Sequence, residues 1–362
     1  MTRVFARIIP FILIAWTACS SPSNKAGDYK IAVTPSARGQ NGIFAMKADT
    51  TGGKLLTPDP GAQLEAVSWS PDGKTIVFFS ARSQDTDILS KYPMPLHHPL
   101  YEIDAAGGSQ KRLLDFPVSS FAWSPNSREL LFVSAYEDPE HGDEAVIRGT
   151  KVPLSAIYIL NLRTGKQRRL TSFGRNCSGS WSPDGRQLAL SFGTDQSSDI
   201  YVVSLDGKHM NRLTDSSAIN VKPSWSPDGK QIAYVSTAPS AVENATAGVF
   251  IVDATGANNR RISDMTAFSA SWSPDGKKLL LQTARGLILT DIQGSKTTNP
   301  APGIGRPLDA LFSPDGREII FRSNHEGEWR LYAVSLAGTG LRKITGKLSA
   351  STFCLSPLQS KH

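Results

Sequence analysis

Short apolar stretches bounded by turn residues recur along nearly the whole chain, and most of them follow the same polar phrase. Lys74-Thr-Ile-Val-Phe-Phe79 and Lys230-Gln-Ile-Ala-Tyr-Val235 are examples, and both read as strands. The phrase is Ser-Trp-Ser-Pro-Asp-Gly, at Ser68–Gly73, Ser180–Gly185, Ser224–Gly229 and Ser271–Gly276. Looser copies are Ala122–Ser127, where Asn126-Ser127 replaces Asp-Gly, and Leu311–Gly316, where Phe312 replaces Trp. Pro pre-sets φ at the second turn position, Ser and Asp satisfy local backbone groups, and Gly takes the left-handed position. Each phrase therefore predicts a tight hairpin leading into a strand.

The Ser of each Ser-Pro pair falls at 70, 124, 182, 226, 273 and 313. The resulting repeat of about 40–45 residues, four short strands per unit, predicts a β-propeller, with insertions in the longer intervals. A second signal runs out of phase: a strand, a Gly-containing turn, then a basic residue and an apolar pair. Ile200–Gly207 with Arg212-Leu-Thr214 and Val249–Gly256 with Arg261-Ile-Ser263 show it. Its turns lie near Asp49, Asp104, Asn161, Asp206, Asp253, Asp291 and Leu336, one more than the clear Ser-Pro hairpins. The unit that begins at Lys30 lacks its first strand, and Ser351–Pro357 offers one. The expected fold is all-β: a seven-bladed propeller closed by pairing of the N- and C-terminal strands, with six blades the alternative. Closure removes free sheet edges.

Antiparallel order places the Ser-Pro-Asp-Gly and Asp-x-x-Gly turns on one face. The opposite face then carries the variable crossings between blades and the insertions Ala81–Pro99, Tyr136–Pro153 and Ala238–Ala247. Variable loops on a rigid scaffold are where function sits. Candidate contact residues on the crossings are Arg175, Asn176, Asn220, Lys222, Phe268, Arg306 and Asp309. Trp69, Trp123, Trp181, Trp225 and Trp272 recur once per unit and read as packing between blades. His97, His98, His141 and His325 map to the loop face, and the first three are speculative ligands for a divalent metal. Otherwise no cofactor is expected.

Charge and the N-terminus add the cellular setting. The chain carries a formal +7, with Lys and Arg spread over turn positions and no dense basic run, which argues against nucleic acid. Residues 1–18 combine Arg3 and Arg7 with the apolar stretch Ile8–Trp16, the pattern of a signal peptide. Cys19 follows and predicts lipidation, and Ser20 after it fits the outer-membrane sorting pattern. Residues 19–29 form the tether, 30–357 the propeller and 358–362 a tail. A monomer is expected, with Cys177 and Cys354 as free thiols because their blades are not neighbours.

The Trp-Ser-Pro-Asp-Gly-Lys/Arg phrase, the Asp-Ile-Tyr-Val-Val strand at Asp199–Val203 and the Arg-Leu-Thr ending resemble the repeats of TolB-type propellers (PD40, WD40-like). Similar repeats occur in the propellers of prolyl oligopeptidase-type peptidases, whose hydrolase domain carries a Gly-x-Ser-x-Gly turn that is missing here. The resemblance implies a non-catalytic binding scaffold of the bacterial periplasm, docking envelope proteins or peptides on its loop face. The alternative it implies is a metal-dependent sugar-binding protein or oligosaccharide lyase with its site at the propeller funnel.

Overall fold

The computed structural model describes residues 29–35, 42–57, 63–81, 99–116, 118–134, 144–147, 150–153, 155–171, 175–194, 197–215, 218–237, 247–305, 307–346 and 348–358. The expected signal segment 1–18, Cys19, most of the tether and the end of the tail lie outside them, as does most of the first and third insertions. All regular structure among the described residues is β-strand.

Each sheet is an antiparallel meander. Sheet I orders Lys54–Leu55, Phe44–Lys47, Lys30–Thr34 and Thr352–Leu355; sheet II spans Gln63 to Arg112 and sheet III Ser120 to Arg169. Sheet V spans Ala267 to Thr298 and sheet VI Leu308 to Lys343. Seven separate blades were expected, and five sheets stand as separate four-stranded units. The remaining sheet, IV, has eight strands: a meander from Arg175 to Arg212 (IVa) and one from Ile219 to Ser263 (IVb). A single parallel bridge between Ser198 and Ile219 joins them. The Ser198 N–H donates to Ala218 O (3.2 Å) and its hydroxyl to Asn220 O (2.8 Å), so the two halves are laced together beside this bridge. The second insertion is not all loop, since Glu144–Ile147 pairs with Thr150–Pro153 as a separate hairpin.

One hydroxyl organises each Ser-Pro turn. In Ser226–Gln231 the Ser226 hydroxyl donates to Asp228 Oδ1 (2.6 Å) and accepts the Gln231 N–H (2.9 Å). The Ser226 N–H donates to Gln231 O (2.8 Å), and Asp228 Oδ1 also accepts the Lys230 N–H (3.1 Å). The Asn126 turn keeps the same bonds with an amide, at 2.8 Å from Ser124 Oγ and 3.0 Å from Arg128 N. Gly229 sits at φ +70, and a Cβ there would lie 3.7 Å from Pro183 Cδ of the preceding turn, so successive turns pack as a belt.

The closing sheet reproduces this clasp without a covalent turn. The Lys30 N–H donates to Ser356 Oγ (2.8 Å), and the Ser356 N–H donates to Lys30 O (2.8 Å). Ile31–Thr34 pairs with Leu355–Thr352 in register. The expected closure of the ring by its two ends is therefore present.

Apolar seams then join each meander to the next. Ala32, Trp69, Phe78 and Cys354 fill the seam I–II; Phe79, Phe121, Phe132 and Tyr158 fill II–III. Trp181 packs with Leu131 and Ile157, Trp225 with Ile200 and Tyr234, and Trp272 with Val235 and Ile251. Phe312 joins V to VI, and Ile31, Ile320, Leu331 and Phe353 join VI back to I. The seam within sheet IV is built like the others. Trp181 Nε1 donates to Ala122 O (3.2 Å) and Trp272 Nε1 to Ser224 O (2.9 Å), each reaching the first strand of the preceding meander. The recurring Trp are thus seam residues, and in Trp123, Trp181 and Trp272 the indole N–H also finds a partner across the seam, whereas the buried Nε1 of Trp69 and of Trp225 has none among the described residues.

Two predictions follow from the clasp and the seams. Burial works against the Asp184, Asp228 and Asp275 carboxylates, but their Ser hydroxyls and the N–H groups of Arg186, Lys230 and Lys277 outweigh it and hold them below the ordinary value. Carboxylates depressed in the folded state contribute stability above about pH 4, lost as pH falls through the folded pKa. A triple Asp→Asn variant at 184, 228 and 275 will show a smaller loss of Tm than wild type between neutral and about pH 2. Cys354 is a free, fully buried thiol whose pKa burial pushes up. It will resist a thiol reagent in the native protein and react on unfolding, as mass spectrometry of labelled peptides will show.

Candidate functional site

The opening strands of sheets I and II touch, as do those of III, IVa, IVb and V in succession, while the last strands are exposed at the rim. The opening strands therefore line the central channel. Five of them carry a register shift just above their aromatic residue: between Glu65 and Ser68, Arg175 and Ser178, Val221 and Ser224, Ala267 and Ser269, and Leu308 and Leu311. Such bulges re-aim a side chain. Ala66, Lys222 and Asp309 hold them with φ of 55°, 56° and 52°. For non-Gly residues this conformation costs on the order of 1 kcal/mol, and strain of this kind gathers at functional sites.

Two of those residues meet electrically. Burial pushes the Lys222 ammonium down to about 8, and Asp309 opposes the shift. Lys222 stands in IVb and Asp309 in VI, so the pair acts past sheet V rather than along one seam. Asp309 is also ion-paired to Arg322 Nε, and the Arg322 guanidinium lies 4.9 Å from the centre of the Trp329 ring. The Lys222 N–H donates to Ser178 Oγ (3.1 Å), which shares a hydrogen bond with Ser191 Oγ (2.7 Å). In sheet V, Gln282 Oε1 accepts the Ala310 N–H (3.1 Å), and its buried Nε2 has no hydrogen-bond partner among the described residues. Phe268, at the bulge of the opening strand of sheet V, and Met265, just before that strand, are each 39% exposed.

The sequence-predicted residues separate here. Lys222 and Asp309 each stand at a bulge of an opening strand and sense each other's charge, and Phe268 is displayed. Asn220 is not displayed: it is buried, its Nδ2 donating to Thr214 Oγ1 (3.3 Å). Thr214 Oγ1 donates in turn to Asp199 (2.8 Å), which also holds Arg212. Asn220 is a seam residue because its strand turns it toward IVa rather than toward solvent. Arg175 and Asn176 open the first strand of IVa, Arg175 opposite Gly193. Arg306 and the speculative metal ligands His97, His98 and His141 lie outside the described residues. His325 is described, with its ring 4.6 Å from that of Tyr332 and Nδ1 3.3 Å from Ser323 Oγ. Among the described residues no three His, Cys, Asp or Glu side chains gather as a metal site.

Arg322, Gln282 and Ser191 were not anticipated from sequence. They occupy one repeating position, nine residues after the Ser of the Ser-Pro pair, where Phe79, Val133 and Val235 stand in other units. A polar residue breaking an apolar run at a fixed register is the signal that would have found them.

Residues 103–297 match the PD40 family, described as the TolB β-propeller domain. The Tol-Pal system protein TolB of Francisella tularensis subsp. mediasiatica is 33% identical over 106 residues, 28% of this chain and 21% of that protein. The chain thus spans about a fifth of the length of such relatives. TolB from Acinetobacter baumannii superposes with a TM-score of 0.54 at 17% identity, over 93% of this chain and 68% of that one. An oligogalacturonate lyase in complex with manganese superposes at 0.60 with 14% identity, over 82% and 83%. At these identities the structural likeness is one of fold.

Lys222 supplies the prediction for this site. Its folded pKa lies below the unfolded value of about 10.4, so the unfolded chain binds more protons between about pH 8 and 10. Stability from this residue therefore rises with pH across that window. Lys222→Met will remove that rise from the pH profile of Tm; an unaltered profile would place the Lys222 amine in ordinary solvent.

Proposed function

The chain belongs to the TolB β-propeller domain family, and from that footing we propose a non-catalytic, exported scaffold of the cell envelope that docks a protein or peptide partner on its channel-mouth face. Sheet IV counts as two blades in this reading, since its internal seam is built like the others, and the ring has seven. The observation that carries the reading is the inequality of the two faces. On the turn face each Ser-Pro turn spends its polar groups on its own backbone. On the other, bulged strands hold Lys222 and Asp309 in strained conformations and expose Phe268, and Arg322 pairs with Asp309. An aromatic flanked by charged groups at the centre of a rigid face is the composition of a binding hot spot.

A relative bears the name of a Tol-Pal system protein, and an envelope protein is the partner class we assign to this chain. The signal-like segment 1–18 and Cys19 support export and a lipid anchor in the outer membrane. The monomer remains the proposed state.

In-cell crosslinking and affinity capture of the tagged protein, read by mass spectrometry, tests this. A Phe268→Ala/Lys222→Ala variant will capture the partner at least about tenfold less, while Lys230→Ala on the turn face will capture it like wild type. Equal capture by all three, or oligosaccharide cleavage by the purified protein, would overturn the reading.

A further inference from the structure

Sheet III departs from the other meanders in charge and not in shape. Its Ser-Pro turn carries Asn126 where the others carry Asp, and its second turn carries Asn161 at the place of Asp104, Asp253 and Asp291, a place taken by Ser204 in IVa and Ser335 in VI. The amides keep the turn bonds: Asn126 Oδ1 accepts the Arg128 N–H (3.0 Å) and Asn161 Oδ1 the Thr164 N–H (3.0 Å). The fold loses nothing by the exchange, and the surface loses two negative charges.

The cations around these turns are correspondingly uncompensated. Arg128, Arg163, Lys166 and Arg168 are all exposed. The backbone sets them side by side: the Leu162 N–H donates to Arg128 O (3.0 Å) and the Asn161 N–H to Lys166 O (2.8 Å). Glu129 is the single carboxylate on these two turns and the outer strand that follows. None of the four cations forms an ion pair among the described residues. Outer-strand cations of three other meanders are held by carboxylates: Lys111 by Glu102 (3.0 Å), Arg212 by Asp199 (2.6 Å) and Arg342 by Glu318 (2.6 Å). Protection of a sheet edge needs charge on the edge strand alone, and does not account for amides in both turns.

We propose that this basic corner of sheet III rests on an anionic lipid surface. Its position favours lipid over a soluble partner. The corner lies on the turn face, and the chain before Tyr29 leaves from that same face, because Lys30 is clasped to Ser356 there. Residues 19–29 span at most about 40 Å when extended. An anchor at Cys19 therefore turns the turn face, with its basic corner, toward the bilayer and leaves the channel mouth free. The orientation rests on the envelope reading above; the lipid contact itself needs no anchor.

The test uses the full chain carrying Cys19→Ser, so that no attached lipid contributes. Binding is measured by co-sedimentation with vesicles of neutral phosphatidylcholine alone or with about 30% anionic phosphatidylglycerol. The expected result is binding to anionic vesicles more than about tenfold above neutral ones, abolished near 0.5 M salt. It is lost in Arg128→Gln/Arg163→Gln/Lys166→Gln/Arg168→Gln and kept in Lys208→Gln/Lys230→Gln/Arg261→Gln/Lys277→Gln. Equal binding by the two variants, equal binding to both vesicles, or binding to soluble polyphosphate without anionic vesicles would overturn the proposal. The sheet III variant must still capture the channel-mouth partner; anionic-vesicle binding by a Cys19→Ser chain that captures no partner removes the docking reading and leaves this one standing.

Discussion

The ring depends on one hydroxyl clasp used in two ways. Within a turn, the Ser hydroxyl accepts the N–H five residues on and donates to the Asp carboxylate between them. Each such bond contributes on the order of 1 kcal/mol net, and the greater effect is that it sets the register of the two strands it joins. At the closure the same atoms meet across the whole chain, Ser356 to Lys30, with no covalent turn to hold them. The seams of sheet I with its neighbours have meaning only once that contact forms. This is also the pairing of greatest sequence separation in the ring, and non-local pairing must be reached before it is rewarded.

That clasp also divides the molecule functionally. Because every turn spends its Ser and Asp on itself, the turn face varies mainly in charge, as sheet III shows with Asn126 and Asn161. Variation in shape is confined to the opposite end of the strands. There the bulges let Lys222 and Asp309 leave the regular pleat without disturbing the aromatic seam residue three positions on, Trp225 in one case and Phe312 in the other. A rigid ring with one uniform and one variable face offers two separate surfaces, which is the basis of the docking and lipid proposals made above.

The fold was legible in the sequence because its determinants are local and repeated. Turn chemistry, strand period and the Trp of five seams all lie within the same short phrase, and the missing strand of the first unit pointed to the C-terminus. The joining of IVa to IVb was not legible: a single Ser198–Ile219 bridge leaves no compositional trace. The site was legible only in part. Lys222 and Asp309 were singled out by lying on crossings, yet the same argument chose Asn220, whose side chain turns into the seam. Crossing residues sit at strand ends, where one residue of register decides between solvent and core, and the bulges that set that register have no fixed sequence signature. Arg322 was hidden inside an apolar strand and became meaningful only opposite Asp309.

The most direct measurement of the central claim, that partners dock at the channel mouth, is in-cell photo-crosslinking with a reactive amino acid placed singly at Phe268 and at Lys230. The account predicts a discrete partner adduct from position 268 and none from 230. Adducts from 230 alone would contradict it and assign partner binding to the turn face.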